Sequence, residues 1–195
     1  MPAPASSDSP QGDAAAALAA LERGDNAEGL RLARRAADRG DLFGQYAMGI
    51  IHARGLGVPA DGAEAVRWFK LAADRGLVGA YTMLGWCYGS GLVGGKPDFS
   101  EADRWLTPAA EHGDTEAVIM LGNMYDQGLG VKKDPLDAAR RYAVAAEKGD
   151  PRWLETASPG AIREVGYLRG MSAGVEEQLR WYREAAGRGD GEAMY

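Results

Sequence analysis

An all-α fold, an α–α superhelix of stacked helix-turn-helix units, is what this sequence predicts, on three observations. Residues 114–149 read as helix, glycine loop, helix. Residues 41–76 align with them without a gap at a shift of 73, and residues 77–113 supply a copy between with one extra loop residue. Two helices of this size cannot bury their apolar stripes alone, so a period of 36 to 37 residues marks an array in which each unit is sealed by its neighbours.

The elements of residues 114–149 each have a local cause. Ala117, Leu121 and Met124 recur near helical spacing, with Ile119 and Met120 flanking. Gly122 lies inside this helix, where glycine costs about 1 kcal/mol against alanine, which points to close approach of another helix. Gly128 and Gly130 break the helix because glycine accepts positive φ. Asp134 caps the open amides of the second helix, with Pro135 at its first position. Ala138, Tyr142, Ala145 and Ala146 share one side, and Gly149 supplies the left-handed stop. The second copy repeats these positions as Gly49, Gly55, Gly57, Asp61, Ala65, Ala72, Ala73 and Gly76; the third carries Gly85, Gly91, Asp98, Ala102, Ala109, Ala110 and Gly113.

Outside this block the pattern loosens. Residues 1–12 are rich in Pro, Ala and Ser without an apolar run, and read as a disordered tail. Residues 13–40 form a divergent first unit, with Asp13 and Asn26 as expected caps. In the third unit Asp98 and Glu101 make a capping-box-like start, and Pro108 predicts a kink or break near Leu106. Residues 150–189 read as a fifth unit with an insertion at its front and a short Gly170/Gly174 loop; residues 190–195 read as the opening of a sixth. Trp68, Trp105, Tyr142 and Trp181 are taken as one recurring core position, and His52, Tyr88 and Tyr125 as another. A cut after residue 195 would leave the apolar side of Trp181 and Tyr182 uncovered and invite self-association.

Composition narrows the class. A solenoid tolerates 195 residues without one large core, and the 46% hydrophobic content leans on alanine, as tight helix packing requires. A net charge of −6 argues against nucleic acid and anionic membranes, which call for a basic face. No run approaches the ~20 apolar residues of a membrane span. Cys87 is the only cysteine, so the chain suits a reducing compartment; with Met1 as native start the expectation is cytoplasmic, with periplasmic or secreted as the alternative.

The copies resemble Sel1-like repeats, relatives of the tetratricopeptide repeat, whose pattern runs A-x-x-x-L-G-x-x-Y, then G-x-G-V, D, A, an aromatic, A-A and G. Ala117, Leu121, Gly122, Tyr125, Gly128, Gly130, Val131, Asp134, Ala138, Tyr142, Ala145, Ala146 and Gly149 carry that match. The resemblance implies a right-handed superhelix and adaptor work, often bacterial, with the first helix of each pair lining a concave face. Counting from the Leu-Gly pair, the candidate groove residues are Phe43, Tyr46 and Ile50, then Thr82 and Trp86, then Glu116, Ile119, Asn123 and Asp126. Each has a second reading, packing within or between repeats. Such a groove would be aromatic and apolar at one end and acidic at the other, fitting a peptide or helix with apolar anchors and some basic residues.

Little points to chemistry. His52 and His112 lack ligand spacing, so neither a metal site nor a cofactor is expected. Gly128-Leu129-Gly130-Val131 lacks the Lys-Ser/Thr of a phosphate loop. The sequence therefore predicts a non-catalytic adaptor that binds a protein segment in regulation, complex assembly or effector neutralisation. The alternative is a hydrolase, β-lactamase-like or thiol-dependent, using Cys87 and His52 on the concave face.

Overall fold

The computed structural model describes residues 9–194, and among these it holds ten α-helices, two 3-10 helices and no strand. The chain divides into two compact units, Met1–Trp105 and Leu106–Tyr195. In the first, α1 (Pro10–Glu22), α2 (Asn26–Asp38), α3 (Leu42–Arg54), α4 (Gly62–Ala73) and α5 (Val78–Gly89) pack in sequence, each on the next. Helix α6 (Phe99–Glu111) starts there and ends in the second. The second unit continues with α7 (Thr115–Gln127), α8 (Pro135–Glu147), the 3-10 turn η1 (Arg152–Glu155), α9 (Pro159–Ala173), α10 (Val175–Gly187) and η2 (Gly191–Met194).

Aspartates start most of these helices. The carboxylates of Asp25, Asp41, Asp61, Asp98, Asp114 and Asp134 each accept a backbone N–H of the first turn, at 2.9–3.2 Å. Leu77 takes that place before α5, which has no side-chain cap. The glycine loops close by one recurring bond: the N–H of Asp61, Asp98 and Asp134 donates to the carbonyl of His52, Tyr88 and Tyr125, each at 2.9 Å. Across repeats, the Arg75 and Lys148 side chains each donate to a carbonyl 35 residues back, Gly40 and Gly113.

Glycine inside a first helix does admit a neighbour. A Cβ on Gly49 would lie 2.4 Å from the Phe69 ring, and one on Gly122 would lie 2.6 Å from the Tyr142 ring. This pairing corrects the expected aromatic register. Phe69, not Trp68, occupies the place of Tyr142, and both are fully buried, whereas Trp68 and Trp105 are half-buried.

Several expected boundaries move. Ser9 caps α1 through its hydroxyl, 3.0 Å from the Gly12 N–H, so residues 10–12 are helical and not tail. The rest of the expected tail, residues 1–8, lies outside the described residues. Asp13 sits inside the first turn instead of capping it, because its buried carboxylate is gripped by Arg35 of α2 and by Arg39 just after it. Asp25 rather than Asn26 caps α2. Helix α6 runs without a break through Pro108. Proline removes one hydrogen bond in the last turn, while buried Leu106 and Ala109 hold the helix on either side. Gly170 is not loop but lies within α9, where a Cβ would stand 2.6 Å from Gln178 Cβ; Gly174 alone joins α9 to α10.

The insertion has a clear origin. After α8 the Asp150 N–H returns to the Ala145 carbonyl at 3.0 Å, as Asp114 does to Ala109 at 3.0 Å. Asp150 then accepts the Arg152 N–H at 3.0 Å, and η1 begins where a first helix should. It stops because Ser158 precedes Pro159, which disfavours helical backbone; Ser158 is extended at φ −66°, ψ 153° and caps α9 instead. Asp190 opens η2 in the same way, accepting the Glu192 N–H at 3.0 Å.

Candidate functional site

The four candidates on α7 meet the chain's own insertion. Glu116 pairs with Arg152 at 3.3 Å. Ile119 is buried in the core that holds Tyr142, Trp153 and Trp181. The Asn123 side-chain oxygen accepts from the Tyr142 hydroxyl and the Thr156 hydroxyl, both at 2.6 Å. Asp126, 2% exposed, accepts from the Ser158 N–H and hydroxyl, both at 2.6 Å. Residues 150–158 thus run along α7 from its first turn to its last, and the acidic end of the expected groove is occupied from within. Trp153 anchors this segment, stacked on Tyr142 at 5.3 Å and tilted on Trp181 at 5.1 Å. Burial, with the Asp126 charge adding to it, pushes the Tyr142 phenol up from its ordinary value.

In the first unit the candidates separate. Phe43 is 48% exposed. Tyr46 is half-buried, its ring 5.6 Å from that of Phe69. Thr82 is buried, its hydroxyl without a hydrogen-bond partner among the described residues. Trp86 is half-buried against the cluster of Phe69, Leu84 and Cys87. No residue of α5 is exposed, so that helix contributes no open wall. Ile50 is placed differently. It lines a cleft of about 180 Å³ with Leu18 and Leu21 of α1 and with Leu56, rimmed by Glu22 and Arg54. Leu18 and Leu21 were missed from sequence because the first unit lacks the loop motif, and Leu56 because it was read only as part of its glycine loop. Their signal was an i, i+3 leucine pair on α1 and a leucine set between two glycines.

Cys87 is fully buried, and desolvation pushes its thiol up to about 12, far from the thiolate a nucleophile requires. Among the described residues no helix is long and apolar enough to cross a membrane.

Comparison with known proteins fits this architecture. The Sel1 repeat pattern matches residues 13–41, 42–77, 78–114, 115–150 and 159–190, passing over the insertion between the last two. A Sel1 repeat protein from Oxalobacter formigenes is 29% identical with a TM-score of 0.64, covering 95% of this chain and 74% of that one. A protective antigen of uropathogenic Escherichia coli with an SLR fold is 31% identical with a TM-score of 0.68, covering 96% of this chain and 40% of its own. A Sel1 repeat protein from Klebsiella pneumoniae, 18% identical at a TM-score of 0.58 over 95% of this chain and 89% of that one, shares the fold. Among curated sequences, an F-box protein of Arabidopsis thaliana is 36% identical over 78 residues, 40% of this chain and 22% of its own length. The chain therefore spans less than half of the antigen and of the plant protein. Sel1 repeats generally serve as protein-interaction scaffolds. This chain belongs to the Sel1 repeat family.

Proposed function

We propose that this chain is a non-catalytic scaffold that holds a segment of a partner protein by one apolar side chain in the cleft between α1 and α3. The observation that carries this reading is the cleft itself. Ile50, Leu18, Leu21 and Leu56 offer an apolar recess of about 180 Å³, and Glu22 and Arg54 stand at its mouth to orient a passing backbone. Exposed Phe43, on the same helix as Ile50, offers a second apolar contact. Half-buried Trp86 is a weaker candidate, and the α7 residues are taken up by the insertion. Holding a segment in this way suits regulation, complex assembly or neutralisation of an effector. A reducing compartment such as the cytoplasm suits a chain whose single cysteine is buried.

The test uses Ile50→Ala and Arg54→Glu beside the parent chain. A partner captured by the parent and mapped to one short peptide should bind each variant at least tenfold more weakly, with helicity unchanged by circular dichroism. Equal affinity in both variants removes the cleft from the site. Turnover of an ester or a β-lactam that disappears in Cys87→Ala would overturn the non-catalytic reading.

A further inference from the structure

The hairpin of α9 and α10 carries an apolar face that no described residue of its unit covers. Gly166 and Gly170 mark the seam of α9 with α10: a Cβ at Gly166 would lie 2.9 Å from Trp181 Cβ, and one at Gly170 would lie 2.6 Å from Gln178 Cβ. Fully buried Ile162 and Val165 turn one side of α9 to the core, and Trp181 does the same for α10 against Trp153. By helical spacing the opposite side of the hairpin then presents Tyr167 and Met171 from α9 and Val175 and Leu179 from α10. These are 50%, 75%, 68% and 43% exposed.

In earlier hairpins part of the matching side is roofed, although Pro135 at the place of Val175 and Gln127 at the place of Met171 are exposed. Leu179 corresponds to Ala139 of α8 and Val66 of α4, which are 0% and 8% exposed. Val175 corresponds to Gly62, where a Cβ would lie 2.2 Å from the Leu92 carbonyl oxygen of the following repeat. The exposed face is therefore shaped for stacking, continuous with the interface by which the repeats seat on one another.

We propose that a second copy of this chain covers it, the two hairpins meeting about a twofold axis that runs along them. Because one residue, Gly174, joins the two helices, Met171 is level with Val175, Tyr167 with Leu179, and Glu164 with Arg183. In this arrangement α9 of one copy lies on α10 of the other. Tyr167 meets Leu179 and Met171 meets Val175 across the axis, so apolar groups face apolar groups, and Glu164, which Arg163 already holds at 3.1 Å, lies at the rim beside Arg183 with the opposite sign.

Sedimentation equilibrium on the 195-residue chain should give twice its 20.7 kDa mass at submillimolar concentration. Met171→Glu with Leu179→Glu, both at exposed positions, should halve that mass and leave the circular dichroism spectrum unchanged. Mixing a Tyr167→Cys chain with a Leu179→Cys chain under oxidising conditions should give a cross-linked heterodimer, while neither alone cross-links efficiently. A parent chain that stays monomeric, even one that captures an unrelated helical protein on this face, overturns the proposal. So does a dimer that survives the double glutamate variant.

Discussion

Gly122 is informative because of what it excludes. A methyl group there would stand 2.6 Å from Tyr142 Cε1, in a ring fixed by its bond to Asn123 and its stack on Trp153. Gly122→Ala gains helix propensity but overpacks this contact, so a net loss of roughly 1–3 kcal/mol is expected in urea unfolding. Asp13 acts through charge. The hydrogen bond from Arg35, helped by the charges of Arg35 and Arg39, holds its carboxyl below the ordinary 3.8 despite burial. A carboxylate depressed in the folded state contributes stability that is present above 3.8 and is lost as pH falls through the folded value. Asp13→Asn should therefore lower stability at neutral pH and flatten the acid limb of a stability-versus-pH curve below that point. Cys87, its thiol raised to about 12 by burial, should resist a thiol reagent at pH 8 in the native protein and react fully in denaturant.

At the scale of the element, the recurrent parts are local. An aspartate at the start, glycine at the stop and an amide returned to the preceding helix need only a few neighbouring residues, so these hairpins were legible from spacing. The exceptions are elements whose ends depend on distant partners. Asp13 was read as a cap because its type and place suit one, yet Arg35, 22 residues on, draws it into the helix and leaves the cap to Ser9. Pro108 was read as a kink or break near Leu106, yet the helix continues without a break where Leu106 and Ala109 are buried. The insertion is the longest such case. Ser158 joins α9 to α7 through two bonds to Asp126, a buried carboxylate. Ser158→Ala deletes one of them and the cap of α9, and should cost roughly 1.5–3 kcal/mol, a hydrogen bond to a charged group being the larger share. Amide exchange across residues 150–158 should quicken before the rest of the second unit responds.

At the scale of the whole molecule, the buried apolar residues among those described gather in separate clusters. Met48, Ile51 and Leu32 belong to one, Phe69, Leu84 and Cys87 to another, and Tyr142, Trp153 and Trp181 to the third. In a repeat array each unit answers mainly to its neighbours, so damage should stay where it is made. Trp153→Ala, at 1% exposure, should cost about 3–5 kcal/mol. Its loss of amide protection should fall on α8, α9 and α10 while α1 to α4 keep theirs; uniform loss would mean a single cooperative core.

The amino-acid sequence by itself determined the all-helical class, the repeat period, the glycine stops and most of the aspartate caps. Those features arise from backbone preferences and short-range hydrogen bonds, which act within a single hairpin. Only the tertiary structure decided which of the candidate residues remain open. Asn123 and Asp126 are consumed by Thr156 and Ser158, Thr82 and Ile119 are buried, and Ile50 lines a cleft shared with α1. The physical reason is that exposure belongs to a pair of surfaces: whether a side chain meets a guest or its own chain depends on what packs over it, and that is settled by residues far away in sequence.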